Sequence, residues 1–122
     1  MEWVERLNES MAYIEEHLAD EIDYRQLARI ACCSTYHFQR MFTYMAGMTL
    51  SEYIRRRKMS LAAVDLQGGA RVIDVAQKFG YSSPTAFNRA FQGVHGIVPS
   101  AVKEEGVSVR SYPKIAFSIA VK

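Results

Sequence analysis

The chain has 122 residues, enough for one domain with a buried core, and an apolar content of 49% that excludes a disordered protein. Its apolar runs are too short to cross a membrane and its acidic start is unlike a signal peptide, so a cytoplasmic protein is predicted. The two cysteines, Cys32 and Cys33, are adjacent. This disfavours a disulfide or metal site and predicts small buried residues at a turn.

The formal net charge of +2 conceals a division along the chain. Residues 1–24 carry eight acids and one base, a net of −7, whereas residues 25–122 carry fourteen bases and five acids, a net of +9. This polarity predicts a basic face for a polyanion and an acidic first helix turned away from it.

The first predicted helix covers about residues 2–18, with apolar side chains spaced by threes and fours and an acidic outer side. Asp23, with Gln26 three residues later, predicts the capped start of a second helix by a variant of the capping box. Ser34 predicts the capped start of a third.

The third helix divides into two opposed faces when its residues are placed at about 100° intervals. Its apolar stripe is Phe38, Met41, Phe42 and Met45, and its polar row is Tyr36, Gln39, Arg40 and Thr43. Such a row has the donors and acceptors that read base edges in DNA. Taken alone, the segment is more typical of an ordinary surface helix, because amphipathic helices are the common case.

A fourth, longer helix begins at the capping box of Thr49 and Glu52 and ends before Gly68. Its roughly 19 residues would form a connector of about 28 Å, comparable to the spacing of about 34 Å between successive turns of B-DNA. Its basic run surrounds the helix, so one or two members are expected to contact phosphate. The phosphate-contact candidates are Ser34, Arg55, Arg57, Lys58 and Ser83.

The third helix and its surroundings occur twice. A shift of 49 places Phe38 on Phe87 and Phe42 on Phe91, and an upstream shift of 48 places Ala28 on Ala76. The second polar row becomes Thr85, Asn88, Arg89 and Gln92. The chain is therefore predicted to contain two helix-turn-helix units, with a short closing helix at residues 99–104.

Residues 106–122 differ in kind, because apolar residues alternate at Ile115, Phe117, Ile119 and Val121. This period of two predicts a strand that opens a further sheet domain or pairs with another copy, with a loose strand packed on the helices as the alternative. The predicted fold is all-α, with two helix-turn-helix subdomains joined by a long helix, about seven helices, and a short C-terminal β-strand. The expected domains are residues 1–105 and residues 106–122.

These motifs, in this order and spacing, resemble the AraC/XylS family of bacterial transcription regulators over about residues 5–105. The resemblance rests on Leu27, Ala28 and Ala31; Ser34, Tyr36, Phe38, Arg40 and Phe42; Gly47, Leu50, Tyr53, Ile54, Arg55 and Arg57; Ile73, Val75, Ala76, Phe79, Gly80 and Tyr81; and Phe87, Arg89, Phe91, Gly96 and Pro99. It implies sequence-specific binding of double-stranded DNA, with the third and sixth helices in successive major grooves. The base-contacting positions that it implies are Tyr36, Gln39, Arg40, Thr85, Asn88 and Arg89, all on the two polar rows.

Two departures from the family are expected to matter. Pro84 and Ala86 stand where some relatives carry polar base-contacting residues, so the second helix is expected to read fewer bases. Many family members carry this domain at the C-terminus after a sensing domain, whereas here it comes first. The tail resembles the opening of a GyrI-like effector-binding domain, so a small-molecule effector is expected only if a further domain exists. RNA polymerase is an expected partner and activation an expected mode, although the residues do not distinguish activation from repression. No cofactor, metal or membrane is expected, and the protein would be a monomer or a dimer through the C-terminal strand, associated with the nucleoid in the bacterial cytoplasm.

In the predicted mechanism, Arg40 and Arg89 pair with guanine and Gln39 or Asn88 with adenine. Thr43 and Gln92 lie one turn further along their helices and would touch the DNA backbone or nothing. Three alternatives remain at this point. The arginines could form salt bridges with the acidic first helix, the domain could bind partner helices instead of DNA, or it could be an enzyme. The enzyme is the weakest of these, because His17, His37 and His95 stand apart and no catalytic constellation is evident.

Overall fold

The computed structural model describes residues 2–104 and 107–118, and this part of the chain forms six α-helices and one 3₁₀ helix. The helices are α1 (Glu2–Glu16), α2 (Tyr24–Ile30), α3 (Thr35–Ala46), α4 (Leu50–Gln67), α5 (Val72–Lys78) and α6 (Pro84–His95), followed by the 3₁₀ helix Pro99–Lys103. The all-helical class and the number of helices agree with the prediction. No helix among the described residues is long and apolar enough to cross a membrane.

The described residues form two compact units. The N-terminal unit contains residues 2–53 and 114–118, and the C-terminal unit contains residues 54–104 and 107–113. Helix α4 begins in the first unit and continues in the second. The expected domain boundary at residue 105 lies outside the described residues and stays a prediction.

In the N-terminal unit, α1 packs on α2 and α2 packs on α3. The buried apolar residues of this unit are Leu7, Met11, Ile14, Leu18, Leu27, Ala28, Phe38, Phe42, Leu50 and Tyr53. The Asp23 side chain caps α2 by accepting a hydrogen bond from the Arg25 amide at 2.9 Å. The reciprocal half of a capping box is not seen, because the Asp23 amide donates to the Tyr13 hydroxyl at 3.3 Å.

In the C-terminal unit, α5 packs on α6 and α6 packs on the 3₁₀ helix. Their core is completed by the inner face of α4 and contains Met59, Ala62, Ala63, Leu66, Val75, Ala76, Phe79, Phe87, Phe91, Val94 and Val102. Pro84 occupies the first turn of α6, where its missing N–H leaves no hydrogen bond unmade. Gly96 then ends the helix in the left-handed conformation, with φ of 77°.

The turns that join α2 to α3 and α5 to α6 have the same hydrogen bonding. The Cys33 amide donates to the Ala28 carbonyl at 2.9 Å, and the Tyr81 amide donates to the Ala76 carbonyl at 2.9 Å. Cys32 and Gly80 stand just before these donors, with φ of 59° and 85°. The predicted burial of the cysteines was wrong for Cys32, which is exposed, and Cys33 is half-buried. Cys32 follows the end of α2 in the left-handed conformation, and its side chain is exposed at this turn.

The tail is extended but forms no strand within residues 107–118, so the predicted β-strand was wrong there. Its alternation is nonetheless present, since Ile115 and Phe117 are half-buried whereas Lys114, Ala116 and Ser118 are exposed. Side chains of residues on helices, not a neighbouring strand, bond the inward backbone groups of Ile115 and Phe117. The Asn8 side chain accepts from the Phe117 amide at 2.7 Å and donates to its carbonyl at 2.8 Å. The predicted continuation through Ile119 and Val121 lies outside the described residues.

The same tail is held in the C-terminal unit by a buried histidine. His95, which is 5% exposed, accepts a hydrogen bond from the Arg110 amide at Nδ1 (3.0 Å), so its proton is on Nε2, which donates to the Met59 carbonyl at 2.8 Å. The Tyr112 amide donates to the Ser60 hydroxyl at 2.8 Å. An extended segment can therefore follow a helical surface without belonging to a sheet.

Candidate nucleic-acid interface

The polar row predicted on α3 is exposed to solvent along its whole length. Tyr36 is 68% exposed, and Gln39, Arg40 and Thr43 are also exposed. On the opposite side, Phe38 and Phe42 are 2% and 3% exposed and fix the helix to its unit. The apolar stripe is shorter than predicted, because Met45 in the last turn is 36% exposed. Helix α3 thus exposes one polar face, while the phenylalanines on its opposite face are packed in the core of the unit.

Side chains within the α3 row are bonded to one another and to the helix. Arg40 donates from Nη1 to the Tyr36 hydroxyl at 3.0 Å, with its guanidinium carbon 5.5 Å from the centre of the tyrosine ring. Thr43 donates to the Gln39 carbonyl at 2.9 Å, and the Gln39 amide nitrogen lies 3.4 Å from the Thr35 carbonyl. The row is therefore partly ordered before any ligand arrives.

A surface groove of about 480 Å³ runs beside the α3 row. Its lining includes the four predicted residues together with Tyr44, Thr49, Leu50 and Ser51. Tyr44, which is 90% exposed, was missed by the sequence analysis. Its position one turn beyond Arg40 was the available signal, because residues four apart are neighbours on a helix surface. The groove therefore extends the polar surface from α3 to the start of α4.

The second predicted row, on α6, is similar but less ordered. Thr85, Arg89 and Gln92 are exposed, whereas Asn88 is half-buried. Phe87 and Phe91 are fully buried beneath them, as their counterparts are on α3. Among the described residues, Arg89 has no hydrogen-bond, ion-pair or ring partner, unlike Arg40. The two rows share a scaffold but differ in how their arginines are held.

The five phosphate-contact candidates have different surroundings. The Ser34 and Ser83 hydroxyls accept the capping amides of His37 (3.0 Å) and Ala86 (3.1 Å), so both stand at helix starts.

The candidates on α4 differ in how much of each side chain is exposed. Arg55 is exposed. Arg57 is half-buried and donates to the Tyr112 carbonyl at 2.5 Å, while burial lowers the pKa of the half-buried Lys58. Arg55 is accordingly the α4 candidate most accessible to an external phosphate, and Arg57 also fastens the tail.

Histidines and other side chains of the types that can hold a metal ion occur in the described part of the chain. No group of three or more histidine, cysteine, aspartate or glutamate side chains is placed there to hold a metal ion. The three histidines are separate: His95 is buried in the C-terminal unit, His17 is half-buried at the end of α1, and His37 is exposed on α3. The exposed surfaces with repeated chemistry are the two polar rows.

Comparison with known proteins agrees with this geometry. A family model described as "Helix-turn-helix domain" matches residues 27–105. The HTH-type transcriptional activator AarP of Providencia stuartii is 36% identical over 95 residues, covering 77% of this chain and 70% of AarP. The regulatory protein SoxS of Escherichia coli K12 is 34% identical over 95 residues, covering 77% of this chain and 89% of SoxS.

The fold also matches a solved structure. A transcriptional regulator with an AraC-type DNA-binding domain from Chromobacterium violaceum superimposes with a TM-score of 0.73 at 19% identity, covering 80% of this chain and 88% of that one. Together, the matched family model, the relatives of similar length and the repeated helix-turn-helix fold show that the chain belongs to the AraC-type helix-turn-helix family of bacterial transcription regulators.

Proposed function

We propose that this chain binds double-stranded DNA sequence-specifically and regulates transcription by inserting α3 and α6 into successive major grooves. The observation that carries the proposal is the repetition of one design. In each helix-turn-helix unit two buried phenylalanines fix a helix whose opposite side exposes a polar row with an arginine at its centre. An α-helix fits the major groove, and such side chains match the edges of base pairs.

The roles within each row follow from side-chain chemistry. Arg40 and Arg89 are suited to bidentate pairing with guanine, and Gln39 or Asn88 to adenine. Because Asn88 is half-buried whereas Gln39 is exposed, adenine reading is expected mainly from α3. Tyr36 can pack on a thymine methyl group or a sugar. Thr43, which is bonded to its own helix, and Gln92 are better placed for the DNA backbone than for bases.

Helix α4 lies between the two helix-turn-helix motifs in the sequence. Its 18 residues correspond to a length of about 27 Å, which is somewhat less than one turn of B-DNA, about 34 Å. The excess of +9 charges after residue 24 favours a polyanion, and phosphate contacts would make the affinity fall steeply with salt.

Selection of bound sequences from a random double-stranded DNA pool tests the proposal. Two short motifs about one helical turn apart are expected in the recovered sequences. Recovery of a single short motif would contradict insertion of both helices, and recovery of no motif would contradict sequence-specific binding altogether. Binding of the selected site should be measured by fluorescence anisotropy at two salt concentrations.

Arg40→Ala tests the assignment of a reading role. The substitution is expected to weaken binding to the selected site by about 1 to 3 kcal/mol and to abolish the preference at one base pair. Arg71→Ala is a matched control, because Arg71 is an exposed arginine off both rows that pairs with Asp74 at 3.0 Å. Equal losses for Arg40→Ala on the selected site and on random DNA would show a general charge effect instead of base reading.

Activation through RNA polymerase is the mode that we infer, since the relative AarP is described as a transcriptional activator. Transcription in vitro from a promoter with the selected site upstream is expected to rise on addition of the protein. A fall would indicate repression. A GyrI-like effector-binding domain stays a prediction from the tail sequence.

Self-association through the tail is a further proposal about partners. The inward N–H groups of Ile115 and Phe117 are bonded to Tyr53 and Asn8, whereas those of Ala116 and Ser118 have no partner among the described residues. An open backbone edge of this kind can pair with a second strand. Sedimentation that depends on protein concentration is expected, and Ala116→Pro should abolish that dependence.

A further inference from the structure

Tyr36 and Arg40 form a pair on the surface of α3. They stand four residues apart, one helical turn, and both are exposed beside the groove of about 480 Å³. The Arg40 guanidinium is held twice, by a hydrogen bond of 3.0 Å from Nη1 to the Tyr36 hydroxyl and by its position 5.5 Å from the tyrosine ring centre. No other described residue bonds to Arg40.

Such a pair restricts the rotation of the guanidinium and leaves most of its N–H donors available to a ligand. A guanidinium has five N–H donors in a planar fork, and one Nη1 hydrogen is directed to Tyr36. The edge formed by Nε–H and Nη2–H stays available, and these two parallel donors can bond O6 and N7 of one guanine. A long side chain that is already held in place loses less rotamer freedom when it binds.

We propose that Tyr36 is the positioning residue for Arg40, and we call this contact the clamp. The clamp makes Arg40 of α3 selective for one base pair, whereas Arg89 of α6, which has no clamp, tolerates more than one base pair. This inference rests on the proposed function for its consequence on DNA, but the clamp itself exists in the protein without DNA. It gives Tyr36 a role through Arg40 in addition to any contact of its own.

The internal repeat supplies a natural comparison. Thr85 stands at the position of Tyr36 and Arg89 at that of Arg40, again four residues apart on an exposed row. A threonine side chain cannot place a ring beneath the arginine four residues later, and no described residue bonds to Arg89. One chain therefore contains a clamped and an unclamped arginine on equivalent helices.

The first experiment needs no DNA. Nitrogen NMR of the free protein measures rotation about the Nε–Cζ bond of each arginine, and slower rotation is expected for Arg40 than for Arg89. Tyr36→Phe removes the hydroxyl but keeps the ring, and it should make the two rates more alike. Equal rates for Arg40 and Arg89 in the unsubstituted protein would overturn the clamp, whatever the protein does with DNA.

The second experiment measures binding to the selected site and to every single-base-pair variant of it. Tyr36→Phe is expected to reduce the preference for one base pair over the others about 3- to 10-fold, which is the effect of losing one hydrogen bond. The reduction should occur at the same position of the site where Arg40→Ala abolishes the preference. In the Arg40→Ala background, Tyr36→Phe should have no further effect there. Additive effects, or a loss at another base pair, would show that Tyr36 reads DNA independently and would overturn the positioning role.

Thr85→Tyr completes the test by installing the missing tyrosine one turn before Arg89. It should slow rotation of the Arg89 guanidinium and sharpen discrimination at the base pair that Arg89→Ala relaxes. An unchanged rotation rate would count against the Tyr–Arg pair as a positioning device on this surface. Absence of any preferred sequence for the unsubstituted protein would instead refute the proposed function, and the NMR comparison would still decide the clamp.

Discussion

Acidification is expected to destabilise the C-terminal unit through His95. Burial, the largest cause, lowers the pKa of this imidazole below its ordinary value; the hydrogen bond to the Met59 carbonyl raises it, and the nearby Arg110 charge lowers it. A proton on Nδ1 would also displace the Arg110 N–H bonded there. Between the lowered native pKa and the unfolded value of about 6.5, the unfolded chain binds more protons than the native one, so stability falls as pH falls.

The size of the histidine's contribution can be estimated from its two hydrogen bonds. His95→Leu keeps an apolar side chain against Phe91, whose ring centre lies 4.4 Å from that of His95. It removes the second hydrogen bond of the Met59 carbonyl, which lies inside α4 and keeps its helical bond, and it leaves the Arg110 amide without its partner. A buried group without any partner costs about 1 to 3 kcal/mol, and because Arg110 is exposed its amide can regain water. The expected loss at pH 7.5 is therefore about 1 to 3 kcal/mol for the two bonds together.

Urea unfolding, followed by circular dichroism at pH 7.5 and pH 5.5, tests both the pH dependence of stability and the size of the His95 contribution. The unsubstituted protein should lose free energy of unfolding between these two pH values, and His95→Leu should lose clearly less. His37→Leu is the control, since His37 is exposed and its replacement should change stability by no more than about 0.5 kcal/mol. Parallel pH dependence in the unsubstituted protein and His95→Leu would refute the role of His95.

Two further predictions concern backbone geometry and the tail. Gly80→Ala should destabilise the protein by about 1 kcal/mol because φ at this residue is +85°, whereas Gly93→Ala, inside a helix, should stabilise it by up to about 1 kcal/mol. An added Cβ meets nothing within 4 Å at either position, so the difference comes from the backbone conformation. Chemical denaturation measures both free energies of unfolding, and equal effects would contradict this explanation. Asn8→Ala should speed hydrogen exchange of the Phe117 amide while leaving the amides of α6 unchanged, and unaltered exchange at Phe117 would show that Asn8 does not hold the tail.

Local signals made most of the helical fold predictable. The hydroxyls of Ser34, Thr49 and Ser83 each accept the amide three residues later, as their sequence context indicated. Pairs such as Phe38 and Phe87 are buried alike, so the repeat detected at a shift of 49 is also a repeat of structure. These features depend on residues a few positions apart, which is why the sequence alone was sufficient.

Features that depend on distant residues could not be predicted in the same way. The period of two in the tail is real, but a strand and an extended segment on helices give the same pattern. Bonds to residues far away in the sequence distinguish them, such as the bond between Asn8 and Phe117, 109 positions apart. The Tyr36–Arg40 contact has predictable spacing, whereas which rotamers meet depends on the surrounding surface. Met45 looked apolar and therefore buried, but its place in the last turn of α3 leaves it at the edge of the core.

The paired turns show what the duplication has preserved. Cys32 and Gly80 both take a left-handed conformation, and the amide after each closes the same hydrogen bond, although one position carries a side chain and the other does not. The two turns therefore share the path of the chain between their helices and not the chemistry of the residue there. A comparison of the two halves by residue type would score this position as a mismatch, whereas a comparison by the sign of the backbone angle φ would score it as a match.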